Sequence, residues 1–215
     1  MTADLVLFHT VDSNAALYDH ASGSLDNLPP VTHVVSNSLI RRATDSGELT
    51  PDIRHDAKQE MQQALTSGDV LLCTCSTIGP AADDLATAGQ TVLRTDRALA
   101  DEVFANPGRV AVLVAAPSTV DPTTDLFADA AGVAEDVSFD VILVDGAWGQ
   151  FIKGDMTAYA RMIAKAADAC DGKFDRIALA QASMAPAKAL MNAQTPVFTS
   201  PEAGMRAANQ AMKAG

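Results

Sequence analysis

Two of the three cysteines in this 215-residue chain, Cys73 and Cys75, lie two positions apart where an apolar run gives way to small polar residues. Such a pair could bind a metal, form a redox couple, pack in a core or supply a catalytic thiol. A metal site needs more ligands at suitable spacing, and neither Cys170 nor the four histidines offer them. A disulfide is disfavoured because residues two apart on a strand are about 6.6 Å apart, whereas bridged Cβ atoms lie at roughly 3.8 Å.

Cys75 is the stronger candidate of the pair for chemistry. Cys73 lies inside the apolar run, and unpaired cysteine is among the most buried residue types, so we interpret Cys73 as a core residue. Cys75 stands at the predicted switch from strand to helix and is followed by Ser76 and Thr77. A helix N-terminus at that place favours the thiolate form. We therefore predict a reactive thiol at Cys75, with an inert packed thiol as the alternative.

Eight short apolar runs alternate with helical stretches along the chain. Several of the runs are continuously apolar rather than alternating, which is typical of parallel strands that are buried on both faces. Together they predict β/α units around mainly parallel sheets flanked by helices, and hence the α/β class. The runs span residues 5–10, 31–36, 69–74, 91–95, 109–116, 140–145, 176–181 and 196–200.

The helical signals are clearest between residues 50 and 68. Thr50 is a suitable N-cap, Pro51 suits the first helical position, and Gly68 follows the predicted end. A second helix is predicted for the C-terminal segment 201–215, after the last strand. The apolar face predicted for the first helix comprises Ile53, Ala57, Met61, Ala64 and Leu65.

The chain is faintly self-similar. The segment "CTCSTIGPA" (73–81) aligns with "LAQASMAPA" (179–187) at an offset of 106 residues, so that Cys75 falls on Gln181. In addition, Thr10-Val11-Asp12 recurs as Thr119-Val120-Asp121 at an offset of 109. Both matches follow predicted strands, and both offsets are close to half the chain length. The repeats therefore predict two similar α/β halves.

These repeats also predict the domain organisation and the place of the site. One half comprises residues 1–95 plus 200–215 and the other comprises residues 96–199. In open α/β sheets, ligands bind beyond the carboxyl ends of the strands, where N–H groups and small hydroxyls suit a carboxylate. If the halves face each other, polar residues from both line one cleft. They are Thr10, Asp12, Ser13, Cys75, Ser76 and Thr77 from the first half, and Ser118, Thr119, Gln181 and Ser183 from the second.

In order and spacing, these segments resemble the motifs of the aspartate/glutamate racemase superfamily. Cys75-Ser76-Thr77 resembles its first cysteine motif, and "LAQASMA" (179–185) lies where the second belongs. "HTVDSN" (9–14) is similar to the family's first-strand loop, which contacts the substrate, and "AAPSTVDPT" (115–123) is similar to its carboxylate-binding loop. The resemblance covers nearly the whole chain. It implies two pseudo-symmetric Rossmann-like halves with the active site in the cleft between them, no cofactor, and a homodimer.

The sequence departs from the family pattern at the second cysteine. In the family, two cysteines on opposite faces of the substrate α-carbon act as acid and base. Here Gln181 takes the second position, and an amide cannot serve as a general base near neutral pH. Ser183 would need an activating base of its own, and His9 is a titratable candidate for the second acid or base. Asp12 could contact the substrate, act as a base or cap a helix, and a cap is the simplest interpretation.

The resemblance implies a cofactor-independent isomerase that acts at the α-carbon of a small carboxylate or amino-acid derivative, with Cys75 as acid and base. Three alternatives stay open. The first is a single-cysteine decarboxylase similar to arylmalonate decarboxylase, which needs only one thiol to protonate the enolate. The second is a maleate-isomerase-like enzyme in which Cys75 attacks a double bond, and the third is a non-catalytic carboxylate-binding protein.

The composition restricts the partners. A net charge of −12 and an isoelectric point near 4.5 disfavour nucleic acid and anionic membranes. The longest apolar run, Val110 to Pro117, is too short to span a bilayer, and the first ten residues show no secretory signal pattern. The chain also lacks a glycine-rich phosphate loop. We therefore expect a cytoplasmic protein with a small carboxylate substrate and without a nucleotide, metal, nucleic-acid or membrane partner.

Overall fold

Two four-stranded parallel sheets, one in each of two units, form the framework of the chain. The first unit comprises Met1–Ala98 with Pro201–Gly215, and the second comprises Leu99–Ser200. Gly68 and Asp69, where the sequence predicts a helix end and a strand start, lie outside the described part of the chain. The structure, a computed structural model, describes residues 4–23, 25, 28–65, 70–134 and 136–214.

One or two helices follow each strand along the chain, as βα crossovers between parallel strands require. The elements up to residue 103 are β1 Leu5–His9, α1 Ser13–Ser22, β2 Val31–Val35, α2 Asn37–Ser46, α3 Pro51–Ala64, β3 Val70–Cys73, the 3-10 helix Ser76–Ile78, α4 Gly79–Thr87, β4 Val92–Arg94 and α5 Thr95–Val103. The later elements are β5 Gly108–Val114, the 3-10 helix Pro117–Thr119, α6 Val120–Ala131, β6 Val137–Leu143, α7 Ala147–Ile152, α8 Met156–Asp168, β7 Arg176–Leu179, the 3-10 helix Ala182–Leu190, β8 Val197–Thr199 and α9 Ser200–Ala214.

The two sheets have the same topology. The strand order is β2-β1-β3-β4 in the first and β6-β5-β7-β8 in the second, and each neighbouring pair is parallel. Each of the apolar runs predicted as a strand is a strand. The largest difference is at β6, which begins at Val137, three residues before its predicted run. The predicted α/β class with two similar halves is confirmed.

The central strands are buried because their sequences are continuously apolar. Every residue of β1 and β3 is buried, whereas the edge strands β2 and β6 are mostly half-buried. A strand that is paired on both sides and covered on both faces leaves no surface for polar side chains. The polar residues that are candidates for catalysis or binding therefore lie at the strand ends.

Helix α3 follows its predicted pattern closely. Its N-cap residue Thr50 accepts a hydrogen bond from the Ile53 N–H at 3.4 Å, and Pro51 is its first residue. On the predicted apolar face, Ile53, Ala57 and Met61 are buried in the core of the first unit, while Ala64 and Leu65 are half-buried. The helix ends at Ala64 because Leu65 is already extended. The predicted C-terminal helix is confirmed as α9.

One of the two internal repeats is in structural register. Strands β3 and β7 end at Cys73 and Leu179, which lie 106 positions apart in the sequence. Cys75 and Gln181 then precede 3-10 helices with similar extended backbone angles, −120° and 118° against −109° and 138°. Cys75 and Gln181 are therefore equivalent positions in the two units.

The second repeat is wrong as a structural equivalence. Strands β1 and β5 end at His9 and Val114, which lie 105 positions apart. Thr10 consequently corresponds to Ala115 and not to Thr119. The reason is the 3-10 helix Pro117–Thr119, which precedes α6 in the second unit, while no such helix precedes α1 among the described residues of the first.

Within the ranges that the structure describes, none of the helices combines the length and the apolar character needed to cross a membrane.

Gly204 in α9 offers a test of the packing in the first unit. A Cβ at this position would overlap Thr95 Oγ1 and lie 3.1 Å from Leu72 Cδ2. Thr95 cannot move freely because its buried hydroxyl accepts a hydrogen bond from the Tyr18 hydroxyl at 2.8 Å. We expect Gly204→Ala to lower the free energy of unfolding by about 1–3 kcal/mol through overpacking, measured by urea denaturation.

Gly149 in α7 is the matched control, because nothing lies within 4 Å of a Cβ built there. Gly149→Ala should raise the free energy of unfolding by about 0.5–1 kcal/mol, since alanine loses less backbone entropy than glycine in a helix. Equal effects of the two substitutions would contradict the close packing of α9.

Candidate active site

Neighbouring strand ends bring the candidate residues of the first unit together. Strand β1 pairs with β3, and the Thr74 N–H donates to the Phe8 carbonyl oxygen at 3.0 Å, just beyond the ladder. Thr10 and Cys75 follow these two strands at the same edge of the sheet. The carboxyl edge of the first sheet therefore carries the predicted thiol and one of the predicted hydroxyls.

The two neighbouring cysteines have different environments. Cys73 is buried in the core of the first unit, and burial raises the pKa of its thiol well above its usual range. Its Sγ donates to the Cys75 carbonyl oxygen at 3.5 Å. Cys75 is half-buried and packs against the edge of the same core. Burial also raises the pKa of Cys170. The assignment of Cys73 to the core is confirmed, and Cys75 is the most exposed of the three cysteines.

The turn after Cys75 differs from the expected helix start. A 3-10 helix, Ser76–Ile78, comes first, and α4 begins only at Gly79. Ser76 and Thr77 are half-buried, and within the part of the chain that the structure describes neither hydroxyl has a hydrogen-bond partner. Both hydroxyls are therefore free to donate to a ligand.

The cation nearest to this turn in the sheet is already neutralised. Arg94 ends β4, beside Cys73, and its guanidinium lies against Gly79, where it leaves no room for a side chain. It forms ion pairs with Asp96 at 2.8 Å and with Asp83 at 2.5 Å. Because two carboxylates already balance its charge, Arg94 is not available to a ligand anion, and the free Ser76 and Thr77 hydroxyls of the described turn are candidate donors.

His9 is buried and lies in a chain of hydrogen bonds that runs from the core to the surface. Thr74 Oγ1 donates to the Phe8 carbonyl oxygen at 3.0 Å, so it accepts from His9 Nδ1, 2.7 Å away. His9 Nε2 contacts His33 Nδ1 at 2.9 Å, and His33 Nε2 reaches Asp19 Oδ1 at 3.1 Å. Burial, together with the nearby His33, lowers the pKa of His9 to about 4. His9 is thus a neutral, fully buried residue near pH 7.

Asp12 does not cap α1, so its interpretation as a helix cap is wrong. Its side chain accepts no hydrogen bond from the first turn of α1. It accepts instead from Asn37 Nδ2 at 2.9 Å, at the start of α2. The capping hydrogen bond does not form because the Asp12 backbone is helical (φ −59°, ψ −36°), whereas an N-cap residue is usually extended. Ser13, the first residue of α1, is exposed.

Gln181 is held by backbone groups of its own unit. Its Oε1 accepts from the Ala115 N–H at 2.6 Å and from the Ala116 N–H at 3.1 Å. Both amides lie just beyond β5, the neighbour of β7. Only the oxygen of a carboxamide can accept from two N–H groups, so the orientation of the side chain is determined by its partners. Gln181 is therefore a structural ligand of this turn.

Ser183 is paired with a residue that does not activate it. Its Oγ lies 2.8 Å from the Tyr159 hydroxyl. Burial raises the pKa of Tyr159 to about 12, so the phenol stays protonated near pH 7 and is not a base. The Ser183 hydroxyl consequently lacks the activation that a nucleophile or base requires.

The remaining candidates of the second unit lie in the 3-10 helix after β5. Ser118 is exposed, and the Thr119 hydroxyl donates to the Ala116 carbonyl oxygen at 2.7 Å. Each sheet thus collects its own candidates at its carboxyl edge. The single cleft formed by both halves stays a prediction.

Three residues of these networks escape the sequence analysis: Thr74, His33 and Tyr159. A signal exists for Thr74 and for His9, because each is a polar residue that directly continues a buried apolar run and needs a partner. His33 and Tyr159 carry no such local signal. A search of the described ranges for three or more His, Cys, Asp or Glu side chains that could hold a metal ion finds no group.

Solved racemase structures share the fold. The sequence itself matches no family profile and no curated protein. Aspartate racemase from Picrophilus torridus superposes with a TM-score of 0.73 at 11% identity, covering 98% of this chain and 94% of its own. The chain has the racemase-like α/β fold. Allantoin racemase from Pseudomonas fluorescens (TM-score 0.66, 14% identity, 99% and 92% covered) and glutamate racemase from Francisella tularensis (0.67, 11%, 99% and 81%) have this racemase-like fold as well.

The buried state of His9 predicts a pH dependence of stability. Its pKa is about 4 in the folded chain against an ordinary value of 6.5. Below pH 6.5 the unfolded chain therefore binds a proton that the folded chain does not, so acidification favours unfolding. We expect the free energy of unfolding to fall between pH 6.5 and 4 by up to about 1.4 kcal/mol per pH unit from this residue.

Urea denaturation across this pH range measures the effect. His9→Gln should show a shallower slope than the wild type, because the titrating group is gone. His55, an exposed histidine on α3, supplies the control, and His55→Gln should keep the wild-type slope. An unchanged slope in His9→Gln would contradict the buried, neutral state of His9.

Proposed function

We propose that this chain is a cofactor-independent, racemase-like isomerase that acts at the α-carbon of a small carboxylate, with Cys75 as acid and base. The observation that carries the proposal is the position of Cys75. Its half-buried thiol follows a buried strand at the carboxyl edge of a parallel sheet, where α/β proteins bind ligands. The likeness to solved aspartate, glutamate and allantoin racemases supports the reaction class.

The proposed reaction begins with the Cys75 thiolate. It takes the proton from the substrate α-carbon, and the electron pair of the broken C–H bond moves into an enolate-like carboxylate. Hydroxyls of Thr10, Ser76 and Thr77 donate to the carboxylate oxygens and stabilise the added charge. When Cys75, now a thiol whose proton has exchanged with solvent, returns a proton to the same face of the α-carbon, the thiolate is regenerated and the hydrogen has exchanged without inversion.

We propose that one thiol does this work. The Gln181 amide has no basic group, and its oxygen already accepts from two backbone amides. Ser183 is bonded to a neutral phenol. His9, the remaining candidate for a second acid or base, has no exposed surface and has partners on both ring nitrogens. Inversion occurs when a water molecule on the face opposite Cys75 protonates the α-carbon, and the hydroxide formed takes up the Cys75 thiol proton through solvent, which regenerates the thiolate.

A decarboxylase that uses a single cysteine is the second candidate. Of the two equivalent positions, only Cys75 carries a thiol, because the other is occupied by Gln181. In that reaction the bond between the α-carbon and a second carboxyl group breaks and CO2 leaves. The electron pair stays on the α-carbon as an enolate, and the Cys75 thiol protonates it. Substituted malonates are the substrates that fit this step.

Hydrogen exchange at the α-carbon tests the proposed isomerase. Aspartate, glutamate and other small α-substituted carboxylic acids, and separately the hydantoin allantoin, are incubated with the protein in D2O, and loss of the proton at the reacting carbon is followed by NMR. We expect exchange with at least one of them, and we expect Cys75→Ala to slow it by about 10²–10⁴-fold. Exchange should be faster than inversion, because one base serves one face.

Cys73→Ala is the matched control. It removes a buried thiol two residues away, so it should lower stability and leave exchange by the folded protein unchanged. Inversion with every exchange event would contradict the single-thiol proposal. CO2 release from malonates without exchange would favour the decarboxylase. Binding of carboxylates with no turnover would indicate a carboxylate-binding protein.

We also propose that the enzyme works in the cytoplasm as a homodimer, without a metal ion and without a nucleic-acid or membrane partner. The acidic charge of −12 supports the absence of anionic macromolecular partners. The dimer is supported by the resemblance to the family.

Light scattering after size-exclusion chromatography tests the dimer. The expected mass is twice that of the 22.4 kDa chain. Dialysis against EDTA before the exchange assay should leave the rate unchanged. A mass of one chain that persists in the active protein would contradict the dimer, and loss of the exchange rate restored by a divalent cation would contradict the absence of a metal.

A further inference from the structure

We propose that the Thr10 and Val11 backbone amides form an oxyanion site beside Cys75, and that Gln181 fills the equivalent site of the second unit with its own side chain. The inference deepens the proposed function and rests on it only for the identity of the ligand as a carboxylate. It gives the chain one open oxyanion site, located in the first unit.

The equivalence of the two turns follows from matching hydrogen bonds. In the first unit the Ser36 N–H donates to the His9 carbonyl oxygen, and in the second the Val144 N–H donates to the Val114 carbonyl oxygen. The next residues of the two turns therefore correspond: Thr10 to Ala115.

The neighbouring strands agree with this correspondence. The Thr74 N–H donates to the Phe8 carbonyl oxygen, as the Ala180 N–H does to the Leu113 carbonyl oxygen. Cys75 follows Thr74, and Gln181 follows Ala180. The turn at Thr10 therefore lies beside Cys75, and the turn at Ala115 lies beside Gln181, the equivalent residue of the second unit. Val11 then takes the place of Ala116.

The second unit shows what such a pair of amides binds. One oxygen, Gln181 Oε1, accepts from both the Ala115 and Ala116 N–H groups, at 2.6 and 3.1 Å. Two converging N–H donors on one oxygen are the arrangement that stabilises an oxyanion in acyl-transfer enzymes. A carboxamide oxygen is the neutral counterpart of a carboxylate oxygen. The second unit therefore contains its ligand within its own chain.

The first unit has no glutamine at the equivalent position to accept from its two amides. Cys75 stands at the position of Gln181, and its sulfur is two bonds from Cα, whereas the glutamine oxygen is four bonds away. Across the described residues, neither the Thr10 nor the Val11 N–H has a hydrogen-bond partner. Thr10 is 2% exposed, so an unpaired donor there is costly unless a ligand accepts from it.

The charges at this edge agree with a single carboxylate oxygen as the ligand. Arg94, at the end of β4, is already paired with Asp83 and Asp96. The unpaired Thr10, Ser76 and Thr77 hydroxyls add further donors next to the amide pair. An oxygen bound at the amides thus lies beside the Cys75 thiol, where the α-carbon of a carboxylate has to be.

Acetate is a suitable probe, because it offers the carboxylate and no reactive α-substituent. We titrate the uniformly ¹⁵N-labelled full chain with sodium acetate, using sodium chloride at equal ionic strength as reference, and follow the amide resonances. The Thr10 and Val11 amides should shift and saturate, while those of Ala115 and Ala116 should not move. In Gln181→Ala, acetate should shift the Ala115 and Ala116 amides as well.

Gln63→Ala, which changes an exposed glutamine on α3, is the matched control and should behave as the wild type. The wild-type titration decides the proposal even if Gln181→Ala does not fold. Shifts at Ala115 and Ala116 in the wild type, or none at Thr10 and Val11, would overturn it. Cys75→Ala, which should slow exchange by about 10²–10⁴-fold, should keep the acetate shifts. Shifts without exchange on any substrate would therefore refute the proposed reaction alone, and exchange without these shifts would refute the oxyanion site alone.

Discussion

The parallel pairing of two buried strands in each unit, β1 with β3 and β5 with β7, is the constraint on which both candidate sites depend. Each of these strands has partners on both sides and little polar surface, so a slip in register would break two ladders and expose apolar side chains. The paired strands end within one residue of each other. The residues that follow them are therefore brought to the carboxyl edge of their own sheet, Thr10 and Cys75 in the first unit and Ala115 and Gln181 in the second.

The unpaired donors of the described turns in the first unit are neutral groups. Arg94 is bound by two carboxylates, and the groups left without partners in the described turns of the first unit are hydroxyls and backbone N–H groups. Such donors are held by the sheet and need not reorganise when charge develops on a ligand, which is the basis of oxyanion stabilisation. In the proposed reaction, the Cys75 thiol exchanges a proton with a carbon acid while these donors stay in place.

The elements were predictable because their signals are local. A continuous apolar run predicts a buried strand, and Thr50 followed by Pro51 predicts a helix start, each within a few residues. Predictions failed where a distant partner decides the outcome. Asp12 has the residue type of a cap, but Asn37, 25 positions away, binds its carboxylate. The two Thr-Val-Asp segments have the same sequence but do not occupy equivalent positions in the two units. Strand pairing sets the register, and the second unit has an additional 3-10 helix in that turn.

The sequence by itself determined the α/β class, the eight strands, the separation of a core cysteine from an edge cysteine, and the equivalence of Cys75 and Gln181. These follow from apolar patterning and from a repeat that can be read along the chain. Only the tertiary structure decided what Gln181 and His9 do. The partners of Gln181 are 66 and 65 positions away, and the Thr74 partner of His9 is 65 away. Contacts over such separations form only when buried parallel strands bring their ends together, and no local pattern records them.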